Sequence, residues 1–579
     1  FIDFGRSWVG GVKYEIGNGA AGDQVELRFG EVTSAPNTVR HQLQAGNVYQ
    51  DTLTLRAGAQ TLQTWGLRVF RYLEISGAPE PVTAENLQAL ALVYPFDAEA
   101  ATFSASDPNL ERVWQLSKNT IEAVNLNFYT DSWTRERTNY EADAYLQLLS
   151  TLYLTDDLSL GRYSLDYFAT HRTWPTEWPL YVIRAVHAAW RQTGETEQLV
   201  REYTSLQSKL PEAWFESSTG LLRKDVGADG CNSVTDCDLV DWPATQRDGF
   251  VFQPYNTVIN VLGYRAYRDM AEIAEAIGAA EDAAAYAARA DVLRAAINAR
   301  LYVPELGRYD DGMDANGQWT GHSSLHASAF ALAFGVPEVA EAPRVAEYVA
   351  SRGMACSVYC AAFLISGLYA AGQAQAALEL LSGSGLSSWM NMLQHGAGAT
   401  AEAWDPAQKS NLTYSHPWAA SPAFLVPAGL FGIQPIAAGY ASFRVRPQPG
   451  NLEHASVRVP TIRGTIAAAF AQGPEGFQLA VSVPGNTHAE LSIPVPDGTT
   501  TLYLDRLPHS VQAEGGYARL TGISAGCHLL ATQPSARSPL PEPLRGVCPT
   551  PLPLEPPVAS EPAPAPALPH CLTPLGHPG

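Results

Sequence analysis

The order of apolar and polar positions divides the chain into three stretches and a tail. Up to about residue 98 the two kinds alternate in short runs, as at 25–29, 52–56 and 70–75, with Gly, Asn and Pro between them. A period of two predicts strands, and the turn residues predict an antiparallel β-sandwich over residues 1–98. The period changes after Ser106. Asp107 suits a helix N-cap and Pro108 the first helical position. From 105 to 433 apolar residues recur every three or four positions, most clearly at 110–125, 178–190, 258–279, 283–299 and 361–371. Gly-containing breaks near 194, 230, 307, 335 and 372 leave roughly a dozen helices with short joins.

Alternation returns over 437–533, at 443–446, 462–470, 477–483 and 489–493, which predicts a second β-sandwich. From Pro534 to Gly579 the chain is Pro-rich, with Pro and Ala alternating over 562–567. Such a composition predicts a disordered or polyproline-type tail with no core of its own.

Composition narrows the function classes. The 579 residues are 46% hydrophobic, ordinary for a multidomain globular chain, and carry a net charge of −21. That charge argues against nucleic acid and anionic membranes as partners. No apolar run approaches the ~18 residues of a membrane span. Seven cysteines fall in suggestive places. Cys231 with Cys237, and Cys527 with Cys548, are spaced for local disulfides, which predicts a secreted or periplasmic protein. Cys356 and Cys360 lie one helical turn apart and suit core filling better than a bridge. The chain starts at Phe1, inside a strand-like pattern, so no targeting signal is legible. No His/Cys cluster has zinc spacing, and no calcium loop, phosphate-cradling loop or esterase elbow is present, so neither metal nor cofactor is expected.

The chemistry concentrates in residues 131–143. Asp131, Glu136, Glu141 and Asp143 stand with Arg135, Arg137, Trp133 and Tyr140 in thirteen residues of a chain that is only 16% charged. Carboxylates for proton transfer and hydroxyl binding, arginines to hold them, and flat rings for a pyranose face are what a sugar-cleaving site uses. The plain alternative is a solvated helix start with charges at i, i+4 spacing. A second cluster follows at Glu402, Trp404, His416 and Trp418, where a surface carboxylate and packed rings are the plain alternatives.

The first cluster resembles the Asp-x-x-x-Arg-Glu-Arg-x-x-aromatic-x-x-Asp signature of bacterial α-L-rhamnosidases, glycoside hydrolase family 78, with Asp131, Arg135, Glu136, Arg137, Tyr140 and Asp143 in register. It departs from the family at Ser132, Trp133, Asn139 and Ala142. Gly398, Thr400, Glu402 and Trp404 resemble the segment carrying the family's second catalytic carboxylate. His416, Trp418 and Pro422 resemble a following His-x-Trp segment. The resemblance runs to about residue 480 and implies an (α/α)6 barrel flanked by antiparallel β-sandwiches. It also implies an inverting hydrolase with Glu136 as acid and Glu402 as base, acting on a rhamnose-containing oligosaccharide or glycoside. Asp131, Arg135, Asp143 and His416 are then expected on sugar hydroxyls. Tyr140, Trp404 and Trp418 would form the apolar surface, and Trp242, on a loop between helices, a further wall. Trp174 and Trp178 sit in a similar segment. The alternatives are the same scaffold acting on another α-L-sugar, a lyase for rhamnosyl-uronate links, and an inactive carbohydrate-binding protein.

Overall fold

The computed structural model describes residues 1–233, 236–534 and 542–547. The N-terminal stretch forms one six-stranded antiparallel sheet. Its strands run in the order Gln50–Thr54, Gln24–Gly30, Arg68–Ser76, Ile2–Gly19 and Gly58–Gln63, with Leu87–Ala91 also pairing to Ile2–Gly19. Alternate residues Val25, Leu27 and Phe29 turn inward with Tyr14, Phe70 and Leu73 to make the domain's own core.

Among the described residues thirteen α-helices follow over 108–425: α1 (Pro108–Val124), α2 (Glu141–Thr151), α3 (Ser159–Thr170), α4 (Trp178–Thr193), α5 (Glu197–Gln207), α6 (Thr257–Ala276), α7 (Ala280–Arg300), α8 (Leu325–Ala333), α9 (Ala342–Ser351), α10 (Val358–Ala370), α11 (Ala374–Ser382), α12 (Trp389–Gln394) and α13 (Pro422–Leu425). The Asp107 side chain accepts the Asn109 N–H at 2.9 Å, the cap anticipated for α1. Two kinds of helix alternate. α8 and α10 are apolar on nearly every face and buried along their length, whereas α7 buries only Ala290, Leu293, Ala296 and Ile297. The more buried helices touch in succession: α2 on α4, α4 on α6, α6 on α8, α8 on α10, α10 on α13 and α13 on α2. The expectation of helix alone across this stretch misses short hairpins, among them Phe215–Glu216 with Leu221–Leu222 and Tyr302–Val303 with Arg308–Tyr309. Two-residue pairings are too short to imprint a period of two on the sequence.

The C-terminal stretch builds a five-stranded and a seven-stranded sheet. The seventh strand of the larger sheet is Thr102–Ala105, which pairs with His454–Val459. The segment ahead of α1 therefore belongs to the far end of the chain. The strand expected at 462–470 starts late, at Ile466, because Thr461 closes a turn onto the Gly464 carbonyl.

The tail needs one correction. Residues 542–547 are not coreless: Leu544 and Val547 are buried against Ala467, Ala469, Ala480 and Leu529. Two apolar side chains among prolines suffice because the sheet face they meet is paved with alanines. The rest of the segment expected to be Pro-rich and coreless, over 535–541 and 548–579, lies outside the described residues, as does Cys548. Cys231 and Cys237 form a disulfide and Cys527 is disulfide-bonded, while Cys356 and Cys360 are free and buried.

Candidate active site

The loops that lead into α2, α4, α6 and α13 meet in a cavity of about 260 Å³. Its charged floor holds Asp131, Arg135, Glu136, Asp143 and Glu402, with His416 and Lys409 beside them. Trp174, Trp178, Trp242, Trp418, Tyr140 and Leu239 supply its apolar wall.

Two arms carry the carboxylates. The first is a loop closed on itself. The Asp131 N–H donates to the Thr138 carbonyl at 2.9 Å, and the Thr138 N–H donates to Asp131 Oδ1 at 2.8 Å. Arg137 has a positive φ of 56°, and its guanidinium turns outward to the carbonyls of Trp133 and Leu67 while Glu136 faces the cavity. The second arm is zipped by the Glu402 N–H to the Thr413 carbonyl at 3.0 Å and the His416 N–H to the Thr400 carbonyl at 2.8 Å. Thr400 in turn donates its N–H to Thr120 Oγ1 of α1 at 2.7 Å.

Arg135 joins the arms. Its Nη1 pairs with Glu136 Oε1, and its Nη2 donates to Glu402 Oε1 at 2.8 Å. The two carboxylates otherwise differ. The Glu136 side chain is 34% exposed and accepts the Tyr140 hydroxyl on Oε2 at 2.7 Å. Glu402 is 4% exposed, with Lys409 Nζ 3.2 Å and His416 Nε2 3.9 Å from Oε1. Its Oε2 is buried without a hydrogen-bond partner among the described residues. Burial raises the Glu402 pKa, opposed by the charges of Lys409 and Arg135. Burial pushes Asp131 up to about 7, with Glu136 and Glu402 adding repulsion. Asp143 lies well above the carboxylate range through burial and the nearby Asp131 and Glu402. His416, 3.6 Å from Asp143, is held well below its ordinary pKa by burial and by Arg135 and Lys409, which favours the neutral ring.

One expected site residue does not reach the cavity. Trp404 is 1% exposed, packs edge-on against Trp389 and donates its indole N–H to the Cys356 carbonyl at 2.7 Å. The chain bends after Glu402 instead of running on as a strand, which sends position 404 into the core. The departures at Asn139 and Ala142 also lie off the cavity. Asn139 donates to the Tyr129 carbonyl and Ala142 is fully buried at the start of α2. Sequence reasoning missed Lys409 and Asn411. Both sit between the two motif segments, and the hydrogen bond from Lys409 Nζ to Asn411 Oδ1 gives no periodic signal. It also missed Glu31, which reaches the two arms from the N-terminal sheet and is pushed by burial up to about 7.

Asp241, His326 and Cys360 have the composition of a metal site, with candidate ligand atoms within 4.8 Å of one another. The carboxylate is already saturated, however. It accepts the N–H groups of Trp242 and Ser357, the Ser357 hydroxyl and His326 Nε2. Four donors fill the roughly four lone-pair sites of a carboxylate, so the cluster does not fit a cation. It fastens the Trp242 loop to α8 and α10.

Residues 98–428 match the family described as the bacterial alpha-L-rhamnosidase 6 hairpin glycosidase domain. The chain belongs to that family. Residues 1–93 match the concanavalin-like domain and residues 432–502 the C-terminal domain of bacterial alpha-L-rhamnosidases. An alpha-L-rhamnosidase from Streptomyces avermitilis is 25% identical, over 91% of this chain and 51% of its own. One from Alteromonas sp. is 22% identical, over 85% and 55%. The chain thus spans about half the length of the curated relatives it matches. Among solved structures, the alpha-L-rhamnosidase from Dictyoglumus thermophilum superposes with a TM-score of 0.76 at 16% identity, over 91% of this chain and 61% of its own. The Streptomyces avermitilis enzyme complexed with L-rhamnose gives 0.74 at 21% identity, over 91% and 51%. These likenesses establish a six-hairpin glycosidase fold with flanking β-rich domains.

Proposed function

We propose that this chain hydrolyses terminal α-L-rhamnosyl bonds with inversion, Glu136 acting as the acid and Glu402 as the base. The observation that carries the reading is the contrast between two carboxylates held by one guanidinium. Arg135 and Lys409 flank Glu402 and favour, against its burial, the carboxylate a base must be. Glu136 stands more open, under the Tyr140 hydroxyl, where a leaving group would arrive. In the reaction, Glu136 gives its proton to the glycosidic oxygen as the bond from that oxygen to C1 breaks. A water attacks C1 from the opposite face and gives its proton to Glu402. An inverting pair works at roughly 6.5–9.5 Å to leave room for that water.

The cavity is at the small end of ligand sites, which run from ~300 Å³ upward, and suits one sugar ring at a chain end. Asp131, Asp143 and neutral His416 offer partners for sugar hydroxyls. The tryptophans and Tyr140 offer the apolar wall that a 6-deoxy sugar with its methyl group requires. The ring of contacts from α2 through α4, α6, α8, α10 and α13 back to α2 supports a closed (α/α)6 barrel, which explains how residues far apart in sequence meet. The Cys231–Cys237 disulfide favours export to an oxidising compartment.

The test is nitrophenol release from 4-nitrophenyl α-L-rhamnopyranoside against a panel of other 4-nitrophenyl glycosides, with Glu402→Gln as control and the product anomer followed by NMR. Release from the rhamnoside, lost in the variant and giving the inverted anomer first, supports the reading. Release from a different glycoside, or a retained anomer, refutes it.

A further inference from the structure

We propose that Glu31, supplied by the N-terminal sheet domain, is a positioning residue that locks the Glu136 loop to the Glu402 arm, and that this domain is therefore part of the active site. The proposal rests on the acid–base reading above.

Glu31 directly follows the strand Gln24–Gly30 and is 1% exposed. Gly30 lets the 39–40 segment pack close there: a Cβ at that position would stand 2.6 Å from Val39 Cγ1 and 2.9 Å from the Arg40 carbonyl. The carboxyl then reaches both arms at once. Oε1 accepts the Thr134 hydroxyl at 2.8 Å, and Oε2 accepts the Tyr414 N–H at 3.3 Å. The Ser415 side chain bonds to it as well, and the Thr134 and Ser415 hydroxyls are 2.9 Å apart. Thr134 immediately precedes Arg135 and Glu136. Ser415 immediately precedes His416, and Thr413, one residue before Tyr414, holds the Glu402 N–H. A single side chain from another domain thus spans the two segments whose spacing sets the reaction.

Glu31 makes no ion pair among the described residues. A buried carboxyl held only by neutral donors is costly, and its geometry is all it supplies. A second contact from the same domain points the same way. Gln44 Nε2 donates to the carbonyls of Pro406 at 2.8 Å and Lys409 at 2.6 Å, holding the loop that presents Lys409 to Glu402.

The experiment uses the full chain with Glu31→Ala, Glu31→Gln, Thr134→Val and the Glu31→Ala/Thr134→Val double variant. Kinetics are read on the 4-nitrophenyl rhamnoside, and amide hydrogen exchange is followed over 131–139 and 411–416. Misplacing reacting groups by about 1 Å costs on the order of 10²-fold. The expectation is therefore a kcat loss approaching that size in Glu31→Ala with KM within about threefold. The double variant should be no slower than its worse parent, because both substitutions break one bond. Exchange should quicken in both arms of Glu31→Ala while α6 and α10 stay protected. Unchanged exchange in either arm, an unchanged kcat, or additive single effects would overturn the proposal. If the unmodified chain releases no nitrophenol from the rhamnoside, the hydrolase reading falls, and the exchange result alone decides the lock.

Discussion

Arg135 donates Nη2 to Oε1 of Glu402 at 2.8 Å, across 267 positions of sequence. The guanidinium is 16% exposed and the carboxylate 4%, so the pair is largely shielded from water. Burial raises the Glu402 pKa while Arg135 and Lys409 pull it down. The ionised state of the proposed base thus depends on two cations, and only Arg135 also touches Glu136.

Replacing Arg135 with Met removes one of those cations and leaves burial less opposed. The Glu402 pKa then rises further, and the acidic limb of the kcat/KM profile, where the base must lose its proton, moves to higher pH. At neutral pH kcat/KM should fall, by about tenfold for each pH unit that the limb moves above the working pH. Arg135→Lys should not restore it, since an ammonium cannot present two fixed nitrogens to two carboxylates. A pH series on both variants checks this, and an unmoved acidic limb would contradict it.

Acid and base can be told apart by the leaving group. Protonation by Glu136 matters most when the departing oxygen is basic. Glu136→Gln should therefore be far slower on an alkyl rhamnoside than on one with an acidic nitrophenol, where a general acid's usual 10²–10⁴-fold contribution shrinks. Glu402→Gln removes water activation and should be slow on both. Equal losses for Glu136→Gln on the two substrates would reverse or dissolve the assignment.

How far the sequence carried the reading depends on periodicity. The long helices were legible because apolar positions recur over 13 to 21 residues in α1, α4, α6, α7 and α10. The cavity floor was legible because Asp131, Arg135, Glu136 and Asp143 lie in one compact run. Trp404 was misplaced because a ring beside a catalytic carboxylate reads alike whether the backbone bends or continues. Lys409 and Glu31 were invisible for a different reason. Each is an isolated charge, one on an irregular loop and the other just past a strand in a separate domain, and only tertiary docking gives either a partner. The strand Thr102–Ala105 was missed likewise, since its partner lies 350 residues downstream.

Glu177 should leave a mark on stability. It is buried, accepts the N–H groups of Leu239 and Val240 at 3.2 and 2.8 Å, and is pushed by burial from 4.5 up to about 7, with Asp238 adding repulsion. A folded-state pKa above the unfolded value means that the native state binds the proton more tightly. Its contribution is complete below pH ~4.5 and is lost as pH climbs through about 7. Glu177→Gln should therefore flatten the fall in unfolding free energy over that window. Urea titrations at pH 4.5, 5.5, 6.5 and 7.5 would show it, and an unchanged slope would contradict it.

The two tryptophans on either side of the cavity wall should behave oppositely. Trp242 lines the cavity, is 36% exposed, and has Lys409 Nζ 5.9 Å from its ring centre. Trp242→Ala removes a stacking face present with bound and reacting sugar alike. It should raise KM several-fold, leave kcat within about threefold, and barely move the melting temperature. Trp404 touches no part of the cavity. Its ring fills space against Trp389, and its N–H satisfies the Cys356 carbonyl. Trp404→Ala should cost about 3–5 kcal/mol of stability through the void and the orphaned carbonyl. Below its melting transition the surviving folded enzyme should keep a near-normal KM. A KM rise in Trp404→Ala matching that of Trp242→Ala would put the ring in contact with sugar.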